Sequence, residues 1–91
     1  MRYRLTLYLA SHSKRSRKIR LDVEEYCKGL LGEYQLQVIY ISEFPQLCSS
    51  RDIFASPTLV REFPEPECRV IGDLSDTGLI TDGLDLDWKK G

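Results

Sequence analysis

The amino-acid sequence predicts an α/β domain that opens with a strand, a helix and a second strand. Hydrophobic and polar residues alternate from Tyr3 to Leu9 and again from Tyr34 to Ile41, which is the period of a strand. Between these segments, hydrophobic residues recur at helical spacing from Ile19 to Leu31. Because strands joined through a helix pair in parallel with a right-handed crossover, the three segments predict a βαβ unit. The chain of 91 residues has room for one domain, which we expect to span residues 1–91.

The first predicted strand has two different faces. One face carries Tyr3, Leu5, Leu7 and Leu9, and the other carries Arg4, Thr6 and Tyr8. We expect the leucine face to contact the helix that follows. Either Ser13 or Ser16 can cap the start of that helix, and Gly32 is placed to end it.

The sequence after Ser42 allows two interpretations, because its hydrophobic runs are short and are interrupted by four prolines. In the first, Pro45–Ile53 is a short helix, Thr58–Phe63 and Arg69–Ile71 form an antiparallel hairpin, and Ser75–Leu86 is a terminal helix. In the second, 58–65 is helical and 83–86 is a strand. Segments of this length have no period long enough to decide between them.

Composition and charge exclude several classes of protein. The chain is 42% hydrophobic and 30% charged, which is typical of a folded globular domain. Its formal net charge of −1 gives no overall attraction to nucleic acid or to an anionic membrane. No hydrophobic run approaches the roughly 18 residues of a membrane span, and we expect no signal peptide. These features predict a cytoplasmic protein with neither a nucleic-acid nor a membrane partner.

The three cysteines do not form a recognisable metal or disulfide pattern. Cys27, Cys48 and Cys68 are odd in number and widely spaced, with no CxxC pair and no histidine close to them. We expect them to be ordinary packing residues with free thiols. The sequence therefore predicts no metal site and no cofactor.

Charge is distributed unevenly along the chain. Five cations cluster at the start of the predicted helix, namely Lys14, Arg15, Arg17, Lys18 and Arg20. From residue 62 to residue 87, eight acidic residues accompany a single cation, Arg69. Cations at a helix N-terminus oppose the helix dipole, so this run either remains solvated or contacts an acidic partner.

The order of elements resembles that of a thioredoxin-like domain, in which a proline that usually has a cis peptide bond precedes a central strand. Ser56-Pro57-Thr58 occupies that place. Redox thioredoxins carry a nucleophilic thiolate at the start of the first helix, where the sequence here is Ser11-His12-Ser13-Lys14. We therefore expect no oxidoreductase activity. His12 is the only histidine and has no nucleophile elbow beside it, so the sequence predicts that the protein is not an enzyme.

Five strings, found in order along the chain, resemble the KaiB family of circadian clock proteins. They are 5–10 (LTLYLA), 44–47 (FPQL), 55–59 (ASPTL), 69–76 (RVIGDLSD) and 83–86 (GLDL). The resemblance extends over nearly the whole chain. It implies a thioredoxin-like KaiB fold, in which the N-terminal βαβ unit is followed by a C-terminal half that switches between two folds.

The resemblance also implies a regulatory binding protein. KaiB-type chains associate with the hexameric ATPase KaiC, and in a full clock they sequester KaiA and compete with a clock-associated kinase. They rest as a homo-oligomer, a dimer or a tetramer, and bind KaiC as a thioredoxin-like monomer. The ambiguity between the two interpretations after Ser42 falls in the half that switches.

Particular residues acquire expected roles from the same resemblance. Tyr8, Gly83 and Asp85 lie where family members set the balance between the two folds, Gly83 through its backbone freedom. Pro57, in the half that rearranges, is also assigned to the switch. Arg61 and Arg69 match positions where relatives carry basic residues, and we expect them to contact the partner. Arg61 could instead form a surface ion pair with a neighbouring glutamate, which would contribute roughly 0–1 kcal/mol.

A second function, of a different class, also agrees with these residues. The chain could be a redox-inactive thioredoxin-like sensory or adaptor module that serves a kinase or a stress-response pathway without KaiC. Co-purification with a hexameric ATPase would distinguish the two.

Overall fold

One mixed sheet with helices on both faces forms the domain. The computed structural model describes residues 2–84 and 86. Within them the strands are β1 (Arg2–Leu9), β2 (Glu33–Tyr40), β3 (Thr58–Phe63) and β4 (Cys68–Ile71), and the helices are α1 (Lys14–Leu30), α2 (Pro45–Ser50) and α3 (Thr77–Gly83). The sheet has the strand order β2-β1-β3-β4. β1 is parallel to β2 and antiparallel to β3, and β3 is antiparallel to β4. The predicted βαβ unit is confirmed.

The larger core lies between the sheet and helices α1 and α3. Leu5, Leu7 and Leu9 of β1 are at most 1% exposed there, as the alternation predicts. Fully burying a leucine side chain contributes about 1.5–3 kcal/mol, so this row anchors the helices to the sheet. Val23 and Cys27 of α1 and Ile80 of α3 pack in the same cluster.

A smaller core lies on the other face of the sheet, under α2. Tyr8, Ile39, Cys48, Ile53 and Val60 form it. Thr6 is on this face as well and is fully buried, and its hydroxyl donates to the carboxylate of Glu62 at 2.8 Å. β1 is therefore buried on both faces along most of its length.

The start of α1 agrees with the prediction, and its end does not. Ser13 is the N-cap, and its hydroxyl oxygen accepts a hydrogen bond from the amide of Ser16 at 3.1 Å. The predicted glycine cap at Gly32 is wrong. The helix ends at Leu30, and Leu31 is the C-cap with extended φ and ψ angles, so the chain passes directly into β2. Gly32 is outside the left-handed region that such a cap requires.

In the C-terminal half, this structure has the first of the two predicted arrangements. Residues 58–63 are strand β3, so the helix predicted for 58–65 is wrong here. The hairpin to β4 turns through the predicted Pro64-Glu65-Pro66 segment. The Ser56-Pro57 peptide bond is cis, as the thioredoxin-like resemblance predicts. The terminal helix is shorter than predicted and begins after Asp76, whose carboxylate accepts from the amides of Gly78 and Leu79.

Candidate functional site

The turn before α1, where a redox thioredoxin carries its thiols, has no sulfur and a simple structural role. Ser13 caps the helix, and the exposed His12 ring stacks on Tyr40 with centroids 3.7 Å apart. The His12 Nε2 atom lies 3.2 Å from a carboxylate oxygen of Glu43, so the ring ties the β1–α1 turn to the turn after β2. This geometry provides no activated nucleophile.

Two of the three thiols are in environments that lower their reactivity as nucleophiles. Cys27 is fully buried in α1, and burial raises the pKa of its thiol to about 11. Cys48 is buried under α2, and burial raises the pKa of its thiol as well. A thiol that stays protonated near neutral pH is a poor nucleophile. Cys68 is half-buried on β4.

Two kinds of feature are missing from the described part of the chain. Among residues 2–84 and 86, no group of three or more His, Cys, Asp or Glu side chains is arranged to hold a metal ion. In the same residues, no helix is long and apolar enough to cross a membrane.

Arg69 joins β4 to the loop that follows α2. Its guanidinium donates to the main-chain oxygens of Arg51 and Asp52 at 2.6 and 2.9 Å, and its Nε donates to the carboxylate of Glu67 at 2.9 Å. Asp52 has a φ of 57°, in the left-handed region that non-glycine residues seldom adopt. Arg69 therefore holds a tightly turned loop in place. We call this set of contacts the Arg69 clamp.

Exposed apolar side chains lie beside the Arg69 clamp. Phe54 comes two residues after Asp52 and is 76% exposed, and Ile71 comes two residues after Arg69 on the same face of β4 and is 61% exposed. We call Phe54, Ile71 and the clamped loop 51–54 the α2 surface. Exposed aromatic and aliphatic residues beside arginine are typical of protein interfaces.

Arg61 is buried, which its charge did not suggest. It is 5% exposed and lies on the α1 face of the sheet, beside Leu5 and Cys68, its neighbours across the strands. Its guanidinium donates to the main-chain oxygen of Pro66 at 2.8 Å and to the sulfur of Cys68 at 3.3 Å. In this conformation the side chain supports the turn between β3 and β4. The two-residue period of side chains along a strand could have indicated this, because it places Arg61 on the same face as the buried Leu59.

Two of the four residues assigned to a fold switch, Tyr8 and Pro57, are buried in this structure. Tyr8 is 1% exposed, and its hydroxyl accepts from Arg51 at 2.9 Å, which connects β1 to the end of α2. Pro57 is buried at the start of β3. Asp85 lies outside the described residues.

In this fold Gly83 is required for space, and the backbone freedom that the family resemblance implies for it in the switch stays a prediction. Its φ is not in the left-handed region, so an L-residue could adopt its backbone conformation. A Cβ atom at this position would, however, lie 2.4 Å from the Cγ2 atom of Val70. α3 can pack this closely on β4 only because residue 83 has no side chain.

These features define the class of protein first: a thioredoxin-like domain without cysteines at the start of α1. Solved structures confirm the fold. The N-terminal domain of SasA from Synechococcus elongatus matches with a TM-score of 0.77 at 19% identity, over 100% of this chain and 87% of that one. Chloroplastic thioredoxin z matches with a TM-score of 0.71 at 18% identity, over 98% of this chain and 80% of that one.

Sequence comparison then identifies the family. The KaiB domain model matches residues 6–86. Circadian clock protein KaiB3 of Synechocystis is 35% identical over 83 residues, covering 90% of this chain and 81% of the relative. A circadian clock oscillator protein KaiB of Prochlorococcus marinus is 40% identical over 85 residues, covering 92% of this chain and 75% of the relative. The chain belongs to the KaiB family, and the predicted resemblance is confirmed.

Proposed function

We propose that the protein is a non-enzymatic regulatory binding protein of the KaiB type, which associates with a KaiC-type hexameric ATPase in circadian-clock-like regulation. The observation that carries this proposal is the match to the KaiB domain over residues 6–86. The turn before α1, which has serines and a histidine in place of thiols, supports a binding role over a redox role.

The proposed partner surface is the α2 surface together with Arg69. Phe54 and Ile71 supply apolar area that binding would bury, and Arg69 keeps the loop that carries Phe54 in one conformation. A preorganised loop loses less conformational entropy when it binds. Arg61 lies on the opposite, α1 face of the sheet, so it would act on this surface only indirectly, by holding the turn between β3 and β4 through the Pro66 oxygen.

Titration of a KaiC-type hexamer with the labelled protein tests this assignment. Arg69→Glu removes the clamp and places a carboxylate next to main-chain oxygens, so we expect affinity to fall about 30-fold, which is roughly 2 kcal/mol. Phe54→Ala should weaken binding without unfolding the protein, because Phe54 is 76% exposed. Arg2→Glu is the matched control, since Arg2 is an exposed cation on β1, 3.9 Å from Glu33.

Two results would contradict the proposal. If the wild-type chain does not bind a KaiC-type hexamer at micromolar concentration, the partner is wrong. If it binds but Arg69→Glu and Phe54→Ala bind equally well, the surface is wrong. Arg61→Glu is informative only when circular dichroism shows that it is folded, because the side chain is 5% exposed. Insulin reduction faster than with dithiothreitol alone would contradict the non-redox assignment.

We also propose that the C-terminal half changes fold, with a homo-oligomeric resting form and the thioredoxin-like form captured by the partner. A form stabilised by self-association loses population on dilution, so the balance depends on protein concentration. Tyr8, Pro57, Gly83 and Asp85 are the positions we assign to this balance. Tyr8 supports the proposal because its hydrogen bond to Arg51 joins the two halves of the chain.

A second candidate function is favoured by the SasA match. A redox-inactive thioredoxin-like adaptor in a kinase or stress-response pathway without KaiC would share the fold of that N-terminal domain. KaiA or a clock-associated kinase could also be a partner within a clock. Affinity purification of the tagged protein from its own cells separates the two functions, because recovery of a hexameric ATPase supports the first and recovery of a kinase without that ATPase supports the second.

A further inference from the structure

A hollow of about 800 Å³ lies on the α2 face of the sheet, beside the α2 surface. Three arginines and three acidic residues are in its lining, namely Arg4, Arg51, Arg69, Asp52, Glu62 and Glu67. The charges of these residues balance, so they do not select a charged ligand. Some of the polar groups are instead connected to one another, and through them the middle of β1 reaches the loop that carries Phe54.

A hydrogen bond between two strands fixes the direction of the Glu62 side chain. Thr6, in the middle of β1, is fully buried, and its hydroxyl oxygen lies 2.8 and 2.9 Å from the two carboxylate oxygens of Glu62 on β3. A buried hydroxyl needs an acceptor, and a hydrogen bond to an ionised carboxylate is one of the stronger kinds. Glu62 is only half-buried, so this bond is what keeps its carboxylate over the sheet and out of the solvent.

Arg51, the first residue of the loop 51–54, is held from two sides. Its side chain donates to the Tyr8 hydroxyl at 2.9 Å, and its main-chain oxygen accepts from Arg69 at 2.6 Å. The hydrogen bond with Tyr8 raises the pKa of the Arg51 guanidinium, and the negative charge of Glu62 acts in the same direction. Arg51 is exposed, and a free arginine side chain gains conformational entropy by extending into solvent. The attraction of Glu62 opposes that extension.

We propose that Thr6 and Glu62 are positioning residues for the loop 51–54. Thr6 directs the carboxylate of Glu62, and that carboxylate keeps the Arg51 guanidinium over the sheet. Arg51, bonded to Tyr8, then fixes the start of the loop that carries Phe54. Thr6 is fully buried and so cannot contact a partner itself. The consequence for binding rests on the proposed function: if the α2 surface binds the partner, a loop fixed beforehand loses less conformational entropy.

Amide hydrogen exchange within the loop, followed by NMR, measures this positioning without any partner. The amides of Arg51, Asp52 and Ile53 donate to main-chain oxygens of α2 at 2.8 to 3.1 Å, so they exchange only when the loop opens. Thr6→Val removes the hydroxyl at nearly constant volume, and we expect these amides to exchange about threefold faster or more. Thr6→Ser keeps the hydroxyl and should keep exchange slow.

Thr81→Val is the matched control, because it removes a hydrogen-bonded hydroxyl on the other side of the sheet. The Thr81 hydroxyl, on α3, bonds to the Tyr26 hydroxyl and to the main-chain oxygen of Thr77. This variant should change exchange in the loop by less than about twofold, whereas general destabilisation would accelerate exchange in both variants. Arg51→Met tests the route: in that background Thr6→Val should have no further effect on the loop.

If circular dichroism shows that Thr6→Val does not fold, Glu62→Gln replaces it, because Glu62 is half-buried and the change removes only the charge. The inference is overturned if the wild-type loop amides are unprotected, if the folded variant leaves their exchange unchanged, or if Thr81→Val accelerates it as much. Affinity for a KaiC-type hexamer is measured separately, and we expect Thr6→Val to weaken it about threefold. If exchange accelerates while affinity stays the same, the positioning stands and the α2 surface is not the partner site.

Discussion

A methyl group added at Gly83 tests how closely α3 packs on β4. The Cβ atom of Gly83→Ala would lie 2.4 Å from the Cγ2 atom of Val70, whereas carbon atoms in contact are about 3.5–4.0 Å apart. Either the Val70 side chain must rotate away or one of the two elements must move by about 1 Å. Such overpacking costs about 1–3 kcal/mol, while alanine in place of glycine returns about 0.5–1 kcal/mol of helix propensity. We expect the thioredoxin-like form to lose about 1 kcal/mol or more.

Urea unfolding followed by circular dichroism measures this effect, and the chain offers a control of opposite sign. Gly29, within α1, has no neighbouring atom within 4 Å of the position that a Cβ would take and no left-handed φ, so Gly29→Ala should stabilise the protein by about 0.5–1 kcal/mol. Val70→Ala opens space at the contact, and Gly83→Ala should cost less in that background, with a coupling of about 1–2 kcal/mol. The reasoning fails if Gly83→Ala stabilises the protein as Gly29→Ala does, or if Val70→Ala gives no relief.

Three further predictions concern buried groups and the two folds. Because the pKa of Cys27 is raised in the folded protein, ionisation of its thiol should lower the free energy of unfolding by roughly 2–3 kcal/mol as the pH rises from 9 towards 11. Cys27→Ala should remove that part of the curve of unfolding free energy against pH, and an unchanged curve would exclude the thiol as its source. Tyr8→Phe removes the hydroxyl that accepts from Arg51 and should cost about 1 kcal/mol in urea unfolding, whereas a cost near zero would mean that this bond does not join the halves. If the C-terminal half switches fold, heteronuclear NMR spectra recorded from micromolar to millimolar protein should contain two sets of resonances whose proportion changes with concentration. A single set of resonances with constant strand connectivity would contradict that proposal.

The N-terminal unit could be predicted from the sequence because its elements are long and periodic. β1 and β2 have eight residues each and α1 has 17, enough to display the alternation and the helical spacing. The error at Gly32 arose because a glycine after a helix usually adopts a left-handed conformation, whereas here Leu31 is already extended.

The arrangement of the C-terminal half could not be predicted from the sequence, because its helices and strands are short and their environments are set by the rest of the fold. β4 has four residues and α3 has seven. β3 is buried along its first four residues, so its hydrophobic and polar residues do not alternate. Tertiary contacts with β1 make it a strand, and local propensity does not report such contacts.

Only part of the candidate site could be predicted from the distribution of charged residues along the sequence. Arg69 was expected at an interface, but its hydrogen bond to the loop that carries the exposed Phe54 could be found only from the structure, where the loop after α2 meets β4. Arg61 has the same charge, but its position in β3 directs its side chain to the α1 face of the sheet, where it is buried. A groove beside Leu74 joins residues from α1, the Pro57 loop and the turn before α3, which are distant in sequence, and no local pattern indicates it.

The central place of β1 has a consequence for amide hydrogen exchange. One edge of β1 bonds to β2, within the N-terminal unit, and the other bonds to β3, within the C-terminal half. Successive amides of a central strand point to opposite edges, so alternate residues of β1 report on different halves of the molecule. If the C-terminal half opens by itself, the amides directed at β3 should exchange through that partial opening, while those directed at β2 should exchange only when the whole domain unfolds.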